Sequence, residues 1–114
     1  MARKITLTEL RTRLDTGEPL VLVEALPAMY YAKEHLPGAI NIPHDAVTEL
    51  APTLLPDKDV PVVVYCANGP CANSGIAAAR LTELGYTDVS DYHEGKAEWI
   101  AAGLPVEAGA AAAA

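Results

Sequence analysis

Val60-Pro61-Val62-Val63-Val64-Tyr65-Cys66-Ala67-Asn68-Gly69-Pro70-Cys71-Ala72-Asn73-Ser74-Gly75 is the stretch on which the fold turns. Residues 60–65 are apolar without alternation, interrupted only by Pro61 near the start. A strand covered on both faces reads this way, whereas a half-exposed strand alternates. The pattern therefore predicts a central parallel strand over 60–65, a loop over 66–72 and a helix over 73–84. Gly85 is placed to close that helix as its left-handed C′ residue. Cys66 falls at the carboxyl end of the strand, where open α/β sheets collect their binding chemistry.

The flanking sequence supplies the other layers. Thr6-Leu7-Thr8-Glu9 is a capping box, and Ile5 and Leu10 are spaced for a hydrophobic staple, so a short helix should run to Asp15. Gly17-Glu18-Pro19 ends it, and an apolar strand follows over 20–23. Pro27 suits the first turn of a helix over 28–33, closed by His35-Leu36-Pro37-Gly38. A short strand is expected over 39–42, then a weak helix capped by Asp45 and reaching Leu55, with Pro52 an obstacle to its regularity. A last strand over 88–91 and a last helix over 96–102 complete the alternation. The class is α/β, with a small, mainly parallel central sheet between helices on both sides. One domain is expected over 1–107. The nearly pure alanine end, 108–114, reads as disordered or as an added end.

The loop after the strand carries the chemistry. Small residues and Gly69 let it curl over the Cys66 sulfur with its amides pointing inward. Such a nest, with the positive end of the following helix, stabilises an anion and should lower the thiol pKa. A thiolate at the base of an anion cradle is equipped for nucleophilic attack. The plain alternative is a small buried hydrophobe that merely ends a strand.

Bulk properties bound the partners. A net charge of −7 argues against nucleic acid or anionic membrane, both of which need a basic footprint. No apolar run approaches the roughly 18 residues of a membrane span. No apolar leader follows Met1-Ala2-Arg3-Lys4, so the expected location is the cytoplasm. Two cysteines are too few for a disulfide framework. His35, His44 and His93 lack ligand spacing with each other or with a cysteine, so no metal site is expected.

Two separated motifs carry a family resemblance. Strand, cysteine loop and helix lead to Leu84-Gly85-Tyr86, followed by His93-Glu94-Gly95-Lys96, Trp99 and Ala102-Gly103-Leu104-Pro105. Upstream stands Glu34-His35-Leu36-Pro37-Gly38-Ala39-Ile40-Asn41-Ile42-Pro43. Together, over residues 5–106, these resemble the rhodanese-like domains. The resemblance implies a sulfurtransferase with Cys66 as nucleophile. The cysteine would take sulfane sulfur from thiosulfate or polysulfide as a persulfide and hand it to a thiophilic acceptor, such as cyanide or a low-molecular-weight thiol. A sulfur-accepting protein is a further partner class, and no metal or organic cofactor is implied. The anion-holding loop would be Ala67, Asn68, Gly69, Pro70, Ala72, Asn73 and Ser74.

The chain also departs from that pattern. Family loops usually carry an arginine at the position Cys71 holds here, and no arginine lies between Cys66 and Arg80. Counted back from Leu84-Gly85-Tyr86, Asn73 takes the arginine slot and Ser74 the serine slot, which implies a longer loop. The loss argues against phosphatase chemistry, which needs a loop arginine to grip phosphate. Lys96 is either a replacement charge contact or a solvated surface residue. Glu24-Ala25-Leu26 stands where the family has an acidic residue and a bracing arginine, so Glu24 needs another donor or faces the site as an acid; the structural role is preferred. Cys71 is either a second working thiol or a passive one. His35 is read as a hydrogen-bonded residue of its turn, and Trp99 as packing for the last helix. Alternative functions are a thiol–disulfide protein using Cys66 and Cys71, and a non-catalytic binding or sensing module.

Overall fold

A computed structural model of the chain describes residues 2–109. In order, the elements are β1 (Arg3–Lys4), α1 (Leu7–Asp15), β2 (Val21–Glu24), α2 (Ala28–Lys33), β3 (Ile40–Asn41), α3 (Val47–Leu54), β4 (Val62–Tyr65), α4 (Asn73–Glu83), β5 (Val89–Tyr92) and α5 (Gly95–Ala101). The strands form one sheet ordered β1-β5-β4-β2-β3, and every neighbouring pair is parallel.

β4 is central and buried throughout. Val62 and Val64 pack under α3 and α4, against Val47, Ala51, Ala77 and Leu81. Val63 and Tyr65 point the other way, into a core with Leu10 of α1, Tyr31 of α2 and Trp99 of α5. Each buried valine contributes about 1.5–3 kcal/mol, so the unalternating run is what a two-sided core demands. The capping box forms: the Glu9 amide donates to Thr6 Oγ1 at 3.1 Å, and the Thr6 amide to Glu9 Oε1 at 3.2 Å. Ile5 and Leu10 are both buried in one core, as the staple requires.

Four details depart from the sequence expectation. β1 was not foreseen, because an exposed Arg-Lys pair carries no strand pattern; pairing with Ser90 and Asp91 makes it a short, charged edge. The second strand ends on Glu24 rather than Val23, which makes Glu24 the register partner of Tyr65. Asp45 does not cap α3; Ala46 takes that position without a side-chain bond. Pro52 lies inside α3 without ending it, because the carbonyl left without a donor belongs to exposed Thr48. Toward the C-terminus, Glu107 exchanges backbone bonds with His35 at 2.9 Å, and the Gly109 amide donates to the Ala32 carbonyl at 2.8 Å. Of the alanine-rich end, residues 110–114 lie outside the described residues.

Candidate functional site at the end of the central strand

Cys66 follows β4 directly and is fully buried. Helix α5 holds it there. The Lys96 amide donates to the Cys66 carbonyl at 2.9 Å, and the Ala97 amide to the Ala67 carbonyl at 2.8 Å. Gly95 makes this approach feasible. Its φ is +70, and a Cβ there would stand 2.4 Å from the Cys66 carbonyl oxygen. The glycine named in the family loop thus sets the backbone of the cysteine itself.

The loop wraps over the sulfur, and it turns carbonyl oxygens inward where only amides were expected. Cys66 Sγ meets two carbonyl oxygens, of Cys71 at 3.5 Å and of Asn68 at 3.9 Å, and the Ser74 hydroxyl at 3.6 Å. The Cys71 amide turns away from the sulfur to the Asn68 carbonyl at 3.1 Å and side-chain Oδ1 at 3.2 Å. Burial pushes the Cys66 thiol pKa up, and the neighbouring Cys71 thiol adds to the rise. Ser74, through its hydroxyl and its amide at the start of α4, pulls it down by a smaller amount. The expected net lowering is therefore corrected: in this arrangement desolvation outweighs the helix start.

The other loop residues fall into place around that sulfur. Asn68, Pro70 and Ala72 are exposed, while Ala67, Gly69 and Asn73 are half-buried, Asn73 opening α4. Gly69 lies under the Glu94 carboxylate, whose Oε2 would be 3.2 Å from a Cβ on that glycine. A negative group therefore overhangs the loop, which sequence spacing did not reveal. Cys71 is half-exposed and lines an open groove of about 460 Å³ with Gly75, Ile76, Asp91 and His93.

Lys96 is neither a solvated surface residue nor a free charge for the loop. It is buried, and its ammonium donates to Glu24 Oε1 at 2.9 Å and to the Tyr30 carbonyl at 3.2 Å. A third bond goes to the Glu34 carbonyl. Tyr65 completes the cluster, its hydroxyl donating to Glu24 Oε1 at 2.9 Å and accepting the Leu36 amide at 3.1 Å. Burial and the Glu24 charge raise the Tyr65 pKa far above its ordinary value, so its proton stays in place. Glu24 thus braces the scaffold with Lys96 as its cation. His35 stacks on Tyr31 with ring centroids 3.8 Å apart, and its Nδ1 lies 2.7 Å from the Tyr31 carbonyl oxygen. Trp99 packs in the core, and its indole N–H donates to the Pro105 carbonyl at 2.7 Å.

A parallel, two-faced α/β sheet with a thiol at the carboxyl end of its middle strand, under the start of a helix, defines a cysteine-loop domain. The chain belongs to the rhodanese-like domain family, whose pattern it matches over residues 6–102. It is 37% identical over 106 residues to an HTH-type transcriptional regulator of Mycobacterium tuberculosis, covering 93% of this chain and 45% of that one. It is 48% identical over 61 residues to the thiosulfate sulfurtransferase PspE of Escherichia coli, covering 54% of this chain and 57% of that one. The chain thus spans about half the length of these two relatives. The crystal structure of the BH2092 protein of Bacillus halodurans superposes with a TM-score of 0.85 at 26% identity, over 99% of this chain and 82% of that one. No helix among the described residues is long and apolar enough to cross a membrane.

Proposed function

We propose that the domain is a sulfurtransferase that carries sulfane sulfur as a persulfide on Cys66. The observation that carries this reading is the Cys66 sulfur at the end of β4, 3.6 Å from the Ser74 hydroxyl at the start of α4. The thiolate attacks the outer sulfur of a donor such as thiosulfate or polysulfide and the donor's S–S bond breaks. Sulfite, or a shortened polysulfide, departs. A thiophilic acceptor, either a low-molecular-weight thiol or a sulfur-accepting protein, then removes the outer sulfur. Ser74 supports the thiolate, while burial opposes it. With no arginine in the loop and Glu94 above Gly69, an anionic donor is held weakly.

Intact-mass measurement after treatment with each donor tests the reading. A gain of one sulfur atom, lost in Cys66→Ser, is expected; no gain with any donor on folded protein overturns it. Following the mass after an acceptor is added addresses the second reading, a sensing module, which the arginine-free loop and the similarity to a transcriptional regulator favour. A sensor would load sulfur yet fail to discharge it catalytically to any acceptor.

A further inference from the structure

We propose that Cys71 is the outlet of the site: sulfur captured on Cys66 passes to Cys71 and leaves from there to thiol acceptors too large to reach Cys66. The inference rests on the Cys66 persulfide proposed above and adds the route by which it is unloaded.

The two thiols differ in access. Cys66 has no exposed surface, whereas Cys71 is half-exposed and forms part of the wall of the groove of about 460 Å³. That groove runs along α4, with Gly75, Ile76 and Ala79 giving it an apolar floor suited to the carbon stem of a thiol. Cys71 is also held close to Cys66. Its carbonyl oxygen lies 3.5 Å from Cys66 Sγ, and its amide is tied twice to Asn68, at 3.1 and 3.2 Å. The neighbouring Cys71 thiol is near enough to perturb the Cys66 thiol directly. A passive side chain filling the arginine's place would need neither the tether nor the opening.

The transfer balances without an oxidant. The Cys71 thiolate attacks the outer sulfur of the Cys66 persulfide, Cys66–S–SH. A new S–S bond forms on Cys71, the old one breaks, and Cys66 departs as thiolate beside the Ser74 hydroxyl and amide. An acceptor thiolate in the groove then attacks the outer sulfur of Cys71–S–SH, taking it as RS–SH and leaving the Cys71 thiolate. No net electrons move; one sulfane sulfur changes carrier twice.

The test uses the full chain, loaded with polysulfide and freed of excess donor, then discharged to cyanide or to glutathione. Intact mass follows the discharge. Rapid alkylation with tandem mass spectrometry locates the sulfur. Wild type is expected to show it on both cysteines and Cys66→Ser on neither. Cys71→Ala should still load one sulfur on Cys66, with its ratio of glutathione to cyanide discharge rates reduced tenfold or more. Cys71→Ser, which also lacks a sulfur-accepting thiol, should behave alike and guards against a packing artefact in the alanine variant. An unchanged ratio in both variants overturns the outlet. So does loss of two hydrogens with release of hydrosulfide on loading, since that means Cys71 attacked the inner sulfur. Failure of wild type to load at all is a separate result, and it overturns the persulfide together with its outlet.

Discussion

Tyr65 and Cys66 are adjacent in sequence, yet they enter opposite electrostatic settings. Tyr65 turns into a buried cluster in which Glu24 Oε1 has two donors and the Lys96 ammonium has three acceptors. Cys66 turns into a loop in which its sulfur meets two carbonyls and one hydroxyl, under a carboxylate and without a cation. The buried lysine of this end of the sheet is committed to the frame, and the Cys66 sulfur meets carbonyl and hydroxyl dipoles instead. The difference teaches that rigidity and charge are supplied separately here. A frame held by an ion pair positions a thiol whose thiolate form is favoured only by the Ser74 hydroxyl and amide.

The largest effect is expected from breaking the frame. Lys96→Met leaves Glu24 buried and unpaired and should destabilise by about 3–5 kcal/mol, read from denaturant unfolding. Pairing it with Glu24→Leu should recover much of that loss; no recovery would show that the lysine acts through its packing alone. Next, Gly95→Ala sets a Cβ 2.4 Å from the Cys66 carbonyl oxygen at a φ of +70 and should cost about 2–4 kcal/mol. Sulfur loading should fall even where the protein stays folded, because the cysteine backbone must shift. On the loop side, Glu94→Gln should lower the concentration of thiosulfate needed for half-maximal loading roughly two- to fivefold, with little change for cyanide discharge. Smallest is a shift in the pH profile. Loading should rise with pH along a limb above the ordinary cysteine value, because the thiol is pushed up and only the thiolate attacks. Ser74→Ala removes a downward influence and should move that limb further up; a shift the other way would mean that the hydroxyl favours the thiol form.

Much of this arrangement was legible in the residues. The run over 60–65 announced a strand covered on both faces, and Thr6 with Glu9 announced a helix start, because these signals are local and periodic. The place of Cys66 at the end of that strand could be read directly. What escaped was long-range. Lys96 stands some seventy residues from Glu24, and only the buried acid at the end of an otherwise apolar strand hinted that some cation must come to it. β1 left no trace, since two charged residues are a strand only by virtue of the edge they pair with. The direction of the loop carbonyls was likewise hidden. Composition tells that a loop curls tightly, but not which side of each peptide it turns inward.

The two amides of α5 that hold the Cys66 and Ala67 carbonyls come late in the chain. The groups that meet the sulfur, on Asn68, Cys71 and Ser74, follow it closely in the chain; this clamp arrives only with residues 96 and 97. A growing chain on the ribosome therefore has Cys66 translated well before it has the part that sets its backbone. Until α5 docks, the thiol belongs to an unfinished strand end, and the proposed persulfide site is incomplete.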